Sequence, residues 1–104
     1  MTFSEYVVKL ARMIPKGRVT TYGRIARAAG GGTMASQSIT AILGKAYNEG
    51  VKDIPFHRIV YANGRVWIDD IHKKERLCLY KKEGIELDTN NKIKDFNDVV
   101  FEFK

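Results

Sequence analysis

The chain has one cysteine, two prolines, two histidines and one tryptophan in 104 residues. A lone Cys78 forbids an internal disulfide and fits a reducing compartment. With so few sulfur and imidazole ligands, no structural zinc site, other metal or cofactor is expected. No run of about 18 apolar residues occurs, which excludes a membrane-spanning helix, and no membrane partner is expected. Met1-Thr2-Phe3-Ser4-Glu5-Tyr6 has no basic stretch leading into an apolar one, so no signal peptide is expected. The expected location is the cytoplasm and nucleoid of a prokaryote, or the nucleus of a eukaryote. At 11.8 kDa the chain suits one monomeric domain over 1–104, with 88–104 as a tail.

Acidic residues are scarce in the first half. Residues 1–58 hold nine Lys/Arg against Glu5, Glu49 and Asp53, which accounts for the whole net charge of +6. Residues 59–104 hold nine of each sign. A basic half joined to a neutral one fits a polyanion partner, although a basic surface also serves solubility alone.

Phe3, Tyr6, Val7, Leu10, Met13 and Ile14 fall on one helical stripe, and Thr2 with Glu5 forms a capping box. This predicts a helix over 3–14, broken by Pro15-Lys16-Gly17-Arg18. Thr20 or Thr21 can cap a short second helix that the glycines at 30, 31 and 32 terminate. A third helix over 34–47 would bury Ile39, Ile42, Leu43 and Ala46 and expose Ser36, Gln37, Thr40 and Ala41. Short helix, glycine turn and a helix with a small polar face match a helix-turn-helix, with Arg18, Arg24 and Arg27 nearby. Ile54–Tyr61 reads as extended, and Asn63-Gly64 favours a tight turn returning through Arg65-Val66-Trp67-Ile68 as a hairpin, with Trp67 packed against it. Asp69 or Asp70 would cap a last helix ending at Glu83-Gly84, with Leu77, Cys78 and Tyr80 on its inner face. Residues 88–104 suit either a short strand or a tail. The expected class is mainly α: a winged-helix-like three-helix DNA-binding domain with a helix-turn-helix, a small β-hairpin and a C-terminal helix.

Two segments carry a resemblance. Ile14-Pro15-Lys16-Gly17-Arg18-Val19-Thr20-Thr21-Tyr22-Gly23-Arg24-Ile25-Ala26 resembles the I-P-x-G-x-V-x-T-Y-G-x-I-A segment of O6-alkylguanine-DNA alkyltransferases. Ile54-Pro55-Phe56-His57-Arg58-Ile59-Val60 resembles their I-P-C-H-R-V-V active-site strand, with Phe56 where the alkyl-accepting cysteine stands. Glu83-Gly84 and Asn48 fall at the spacing of the family's late E-G pair and hinge asparagine. Alkyl transfer needs a thiolate, and a phenyl ring has no lone pair to offer. The chain therefore resembles the alkyltransferase-like group, which keeps the damage-binding domain without the nucleophile.

That resemblance implies a protein that binds O6-alkylguanine in duplex DNA, flips it and signals it to nucleotide excision repair proteins, with no catalytic residue. It implies that Phe56 offers a face to the extruded base, and that the carbonyls of Phe56 and Ile59 accept from the guanine amino group. It also implies that the Tyr22 hydroxyl meets a ring nitrogen and that the Asp70 amide meets the alkylated oxygen. Gln37, or Ile39 in a gapless alignment, would stand where the family inserts an arginine into the emptied stack. Arg18, Arg24 and Lys45 would contact phosphates. Asn48, Pro55, His57, Arg58 and Glu83 would support the pocket, His57 with Glu83 as a buried pair and Arg58 as a tie to the recognition-helix end. Asp69-Asp70 departs from the family's glycine-tyrosine neighbourhood. The alternative for the same helix-turn-helix is a transcriptional regulator that binds undamaged DNA.

Overall fold

The computed structural model describes residues 2–31, 35–66 and 70–103. Helix α1 spans Phe3–Arg12, with the Thr2 hydroxyl accepting the Glu5 N–H at 3.1 Å. It stops two residues earlier than its apolar stripe suggests, because Pro15 disfavours helical backbone at Ile14. Val7, Leu10 and Ile14 are buried, whereas Tyr6 and Met13 at the stripe's edge stay exposed. Strand β1, Thr20–Thr21, leads directly into helix α2, Tyr22–Ala28, whose first turn is capped by the Thr21 hydroxyl on the Arg24 N–H. The recognition segment opens as a 3₁₀ turn, Ala35–Ser38, and becomes helix α3 only over Ile39–Asn48. Ile39 and Leu43 on α3 pack with Val7, Ala11, Ile14, Ile25 and Ala26, closing a three-helix core.

The extended segment after α3 enters a second 3₁₀ turn, Phe56–Arg58, and then strand β2, Ile59–Val60. The expected hairpin is met at its turn, while its return arm beyond Val66 lies outside the described residues. The Asn63-Gly64 turn forms, with Gly64 N–H on the Tyr61 carbonyl at 2.8 Å and Tyr61 N–H on the Arg65 carbonyl at 3.0 Å. The partner of β2 is nevertheless β1, in parallel, with Thr20 opposite Ile59 and Thr21 opposite Val60. Arg65 forms an antiparallel bridge with Lys92 instead. Trp67, Ile68 and Asp69 lie outside the described residues.

Helix α4 spans Lys73–Lys82 and begins after His72, so neither Asp69 nor Asp70 is its N-cap residue. Its inner face is also narrower than expected. Tyr80 is buried, but Leu77 and Cys78 are exposed, because α4 meets the rest of the molecule along one edge only. Val19, Val60, Val66, Tyr80, Ile85 and Ile93 form a second apolar cluster under the sheet. Residues 88–103 carry defined structure. Helix α5, Phe96–Val99, precedes a parallel bridge between Val19 and Val100, and Phe101 N–H donates to the Val19 carbonyl at 2.6 Å. Residues 99–101 are thus tied to Val19 by one isolated parallel bridge next to β1.

Candidate nucleic-acid interface and base pocket

The best-organised polar cluster is built around one carboxylate. Glu83, at the end of α4, accepts from Arg58 Nε and its terminal nitrogen, both at 3.0 Å, and from the Gly17 N–H at 3.1 Å. His57 Nε2 approaches Oε2, the oxygen that the terminal nitrogen of Arg58 also reaches, at 2.6 Å. Arg58 also donates to the Ile14 carbonyl at 2.9 Å, so its tie runs to the segment just after α1 rather than to α3. The side chains are nearly closed off from water, 6% exposed for Glu83 and 11% for His57. Gly17 belongs to this design: its φ of +81° suits glycine, and a Cβ there would stand 3.4 Å from the Glu83 carbonyl.

Burial alone would raise the Glu83 pKa, but the bonds from Arg58, His57 and Gly17 outweigh it and hold the value at about 2. Burial also lowers His57, against the opposing pull of Glu83. The imidazole is therefore neutral at neutral pH. Facing an ionised carboxylate, it carries its proton on Nε2 and keeps Nδ1 as an acceptor. Tyr80 braces the other side, donating to the His57 carbonyl at 2.6 Å with its ring edge against the imidazole. Burial pushes the Tyr80 hydroxyl up to about 12.

Beside this cluster lies an open cleft of about 450 Å³. One wall carries Tyr47, Lys52, Ile54, Phe56 and His57; His72, Glu75, Arg76 and Leu79, before and along α4, form the other. Phe56 is half-buried, rooted in the three-helix core, with its ring edge-on to Tyr47 at 5.8 Å. No lining residue is a cysteine, and Cys78 is exposed elsewhere on α4, which overturns its expected burial. The Phe56 carbonyl already accepts the Ile59 N–H, leaving one lone pair for a ligand. Ile59 has its side chain in the core. Tyr22 is adjacent to the cleft rather than lining it; it packs on Tyr61 at 5.9 Å and its hydroxyl is hydrogen-bonded to the Thr40 side chain. Burial raises its pKa, with the Thr40 bond opposing.

The remaining expected residues divide. Gln37 is exposed on the 3₁₀ turn, but Ile39 is fully buried, so the gapless alternative has no side chain to offer DNA. Lys45 is exposed, 4.0 Å from Glu49, and Asn48 is exposed at the end of α3. Pro55 is buried and Asp70 exposed. Arg24 is held by the tail: it pairs with Glu102 at 2.7 Å and sits over the Phe96 ring. Arg18 donates to the Asp98 carbonyl. Both arginines thus serve the tail, whose carboxylate and carbonyl partners are local. Sequence reading missed Tyr47, Lys52 and Arg76. Tyr47 and Lys52 straddle the turn before the Ile54-Pro55 motif, and Arg76 has no distinguishing signal in a lysine-rich helix.

The model of the 6-O-methylguanine DNA methyltransferase DNA-binding domain matches residues 2–85. A bifunctional methyltransferase/endonuclease of Thermoplasma volcanium is 33% identical over 103 residues, covering 96% of this chain. The chain spans only 31% of that relative's length. Among solved structures, S. pombe Atl1 in complex with damaged DNA containing O6-carboxymethylguanine superposes with a TM-score of 0.73. That likeness has 23% identity and covers 97% of this chain and 95% of the other. A variant OGT of Mycobacterium tuberculosis superposes at 0.59 with 23% identity, covering 80% of this chain and 48% of that one.

Proposed function

The chain belongs to the family of the 6-O-methylguanine DNA methyltransferase DNA-binding domain, and on that premise we propose that it is a non-catalytic sensor of O6-alkylguanine in duplex DNA. One observation carries this reading. Phe56, which the motif resemblance aligns with the alkyl-accepting cysteine, opens onto a cleft whose lining holds no thiol. The His57–Glu83 pair that would serve a thiolate remains bonded as a rigid support. A phenyl ring in that position offers a surface for an extruded base. An alkylated guanine pairs poorly, so rotating it out of the stack costs less than rotating an intact one. The exposed Gln37 would then hydrogen-bond the orphaned partner base, and Lys45 would contact phosphate. The flipped, distorted duplex would be handed to nucleotide excision repair. Atl1, on the same fold, is described with damaged DNA, which supports this reading.

The test is a fluorescence-anisotropy titration of two duplexes differing by one O6-methylguanine. The modified duplex should bind roughly tenfold tighter, within the range of one base–aromatic stack. Equal affinities would remove the sensor reading and favour a regulator of undamaged DNA. Mass spectrometry after incubation should show no alkyl mass added to the protein.

A further inference from the structure

The densest run of positive charge lies outside the basic half of the chain. Helix α4 carries Lys73, Lys74, Arg76, Lys81 and Lys82 against Glu75, although residues 59–104 are neutral as a whole. Pairing sharpens the contrast. Arg12, Arg24 and Arg58 are each bonded to a carboxylate, and Lys45 stands 4.0 Å from Glu49. Lys74, Lys81 and Lys82 are exposed, and among the described residues no carboxylate lies within ion-pair distance of them. Glu86, which shares a cavity with Lys81, forms no ion pair with it.

These three lysines stand at i, i+7 and i+8, so they share one arc of α4 about 100° wide, turned away from the buried Tyr80. The exposed Cys78 sits among them, and Glu75 marks the edge where the helix turns into the cleft. Protein interfaces are depleted in lysine and anchored on aromatic residues, and this arc holds no aromatic. A phosphate backbone accepts ammonium groups as point charges. We propose that the outer face of α4 is a second DNA-contact face, on which Lys74, Lys81 and Lys82 bind phosphates of the duplex flanking the cleft. Lys74 and Lys81 are about 10 Å apart along the helix axis. That is close to three steps of about 3.4 Å along one DNA strand. The face adjoins the cleft at Glu75, so a duplex presenting a base there meets the lysines about one helix width, or 10–12 Å, farther on. Such contacts read charge alone and add affinity for any duplex without altering discrimination. The inference rests on DNA binding by the family domain, whose match over residues 2–85 includes α4, and not on the lesion reading.

The experiment is an anisotropy titration across a salt series. It uses duplexes of about 20 base pairs, well beyond the 38 Å length of the molecule, with and without one O6-methylguanine. The triple variant Lys74→Gln, Lys81→Gln, Lys82→Gln should lower the slope of log affinity against log salt by about 2.7, or about 0.9 per phosphate contact. Both duplexes should weaken by the same factor. Lys9→Gln, Lys92→Gln, Lys94→Gln removes equal charge from exposed positions elsewhere and should cost less than one contact. Replacing the three α4 lysines by arginine should preserve the slope. A drop smaller than one contact in the α4 variant overturns the proposal and leaves the face to a protein partner. Equal drops in the two glutamine variants overturn it too, by reducing the effect to net charge. So does weakening confined to the modified duplex, which would move the lysines into the lesion site. Equal binding of the two duplexes by the unaltered protein sinks the sensor reading alone, and binding of neither sinks both.

Discussion

Glu83 collects four donors from Gly17, His57 and Arg58, and so joins the loop after α1, the Phe56 turn and the end of α4. Removing its charge while keeping its shape leaves Arg58, only 15% exposed, without a counter-ion. Glu83→Gln should therefore cost about 3 kcal/mol in urea unfolding. The pH dependence follows from the same cluster. The folded state favours ionised Glu83, so its contribution is complete above the unfolded value of 4.5 and is lost as pH falls toward 2. His57 acts in the same direction: its pKa is depressed in the fold, so the unfolded chain takes up the proton first as pH falls below 6.5. The urea midpoint should decline on acidification in two stages, the upper lost in His57→Gln and the lower in Glu83→Gln. Gly17→Ala places a side chain at φ +81° and should cost about 1–2 kcal/mol.

At the scale of elements, the tail matters more than its composition suggests. Phe101→Pro removes one donor to the Val19 carbonyl and should lower stability by about 1 kcal/mol or more, measured by thermal unfolding. That pairing was illegible because Val99–Phe103 lacks strict alternation, and its partner lies eighty residues away in sequence. The helices were legible where one apolar face and a threonine cap coincide, as at Thr2 and Thr21. Asn63-Gly64 specifies a turn, which forms, without specifying that β2 pairs with β1 in parallel. Helix α4 misled. Leu77, Cys78, Leu79 and Tyr80 are consecutive and so point all round the helix, and tertiary contact alone decides that Tyr80 is buried. The candidate site was readable in its motif residues. Its opposite wall was not, since nothing in Lys73–Lys82 marks Arg76 for a cleft.

Across the whole molecule, the basic excess of the first half does not translate directly into phosphate contacts. Arg24 and Arg18 are drawn to the tail, and Arg12 pairs with Asp53 at 2.8 Å. Lys45, with 77% of its side chain exposed and 4.0 Å from Glu49, stays open to solvent. Lys45→Gln should reduce the slope of log affinity against log salt by about 0.9, the value of one phosphate contact. The two apolar clusters meet at β2, where Ile59 belongs to one and Val60 to the other, and Ile54 and Phe56 root the cleft in the same cluster as the three helices. None of the bonds converging on Glu83 passes through the side chain at position 56. Phe56→Cys should therefore install an alkyl acceptor on standing foundations, seen as a stoichiometric mass gain. One codon, with no rebuilding around it, would then separate a protein that cures a lesion from one that only reports it.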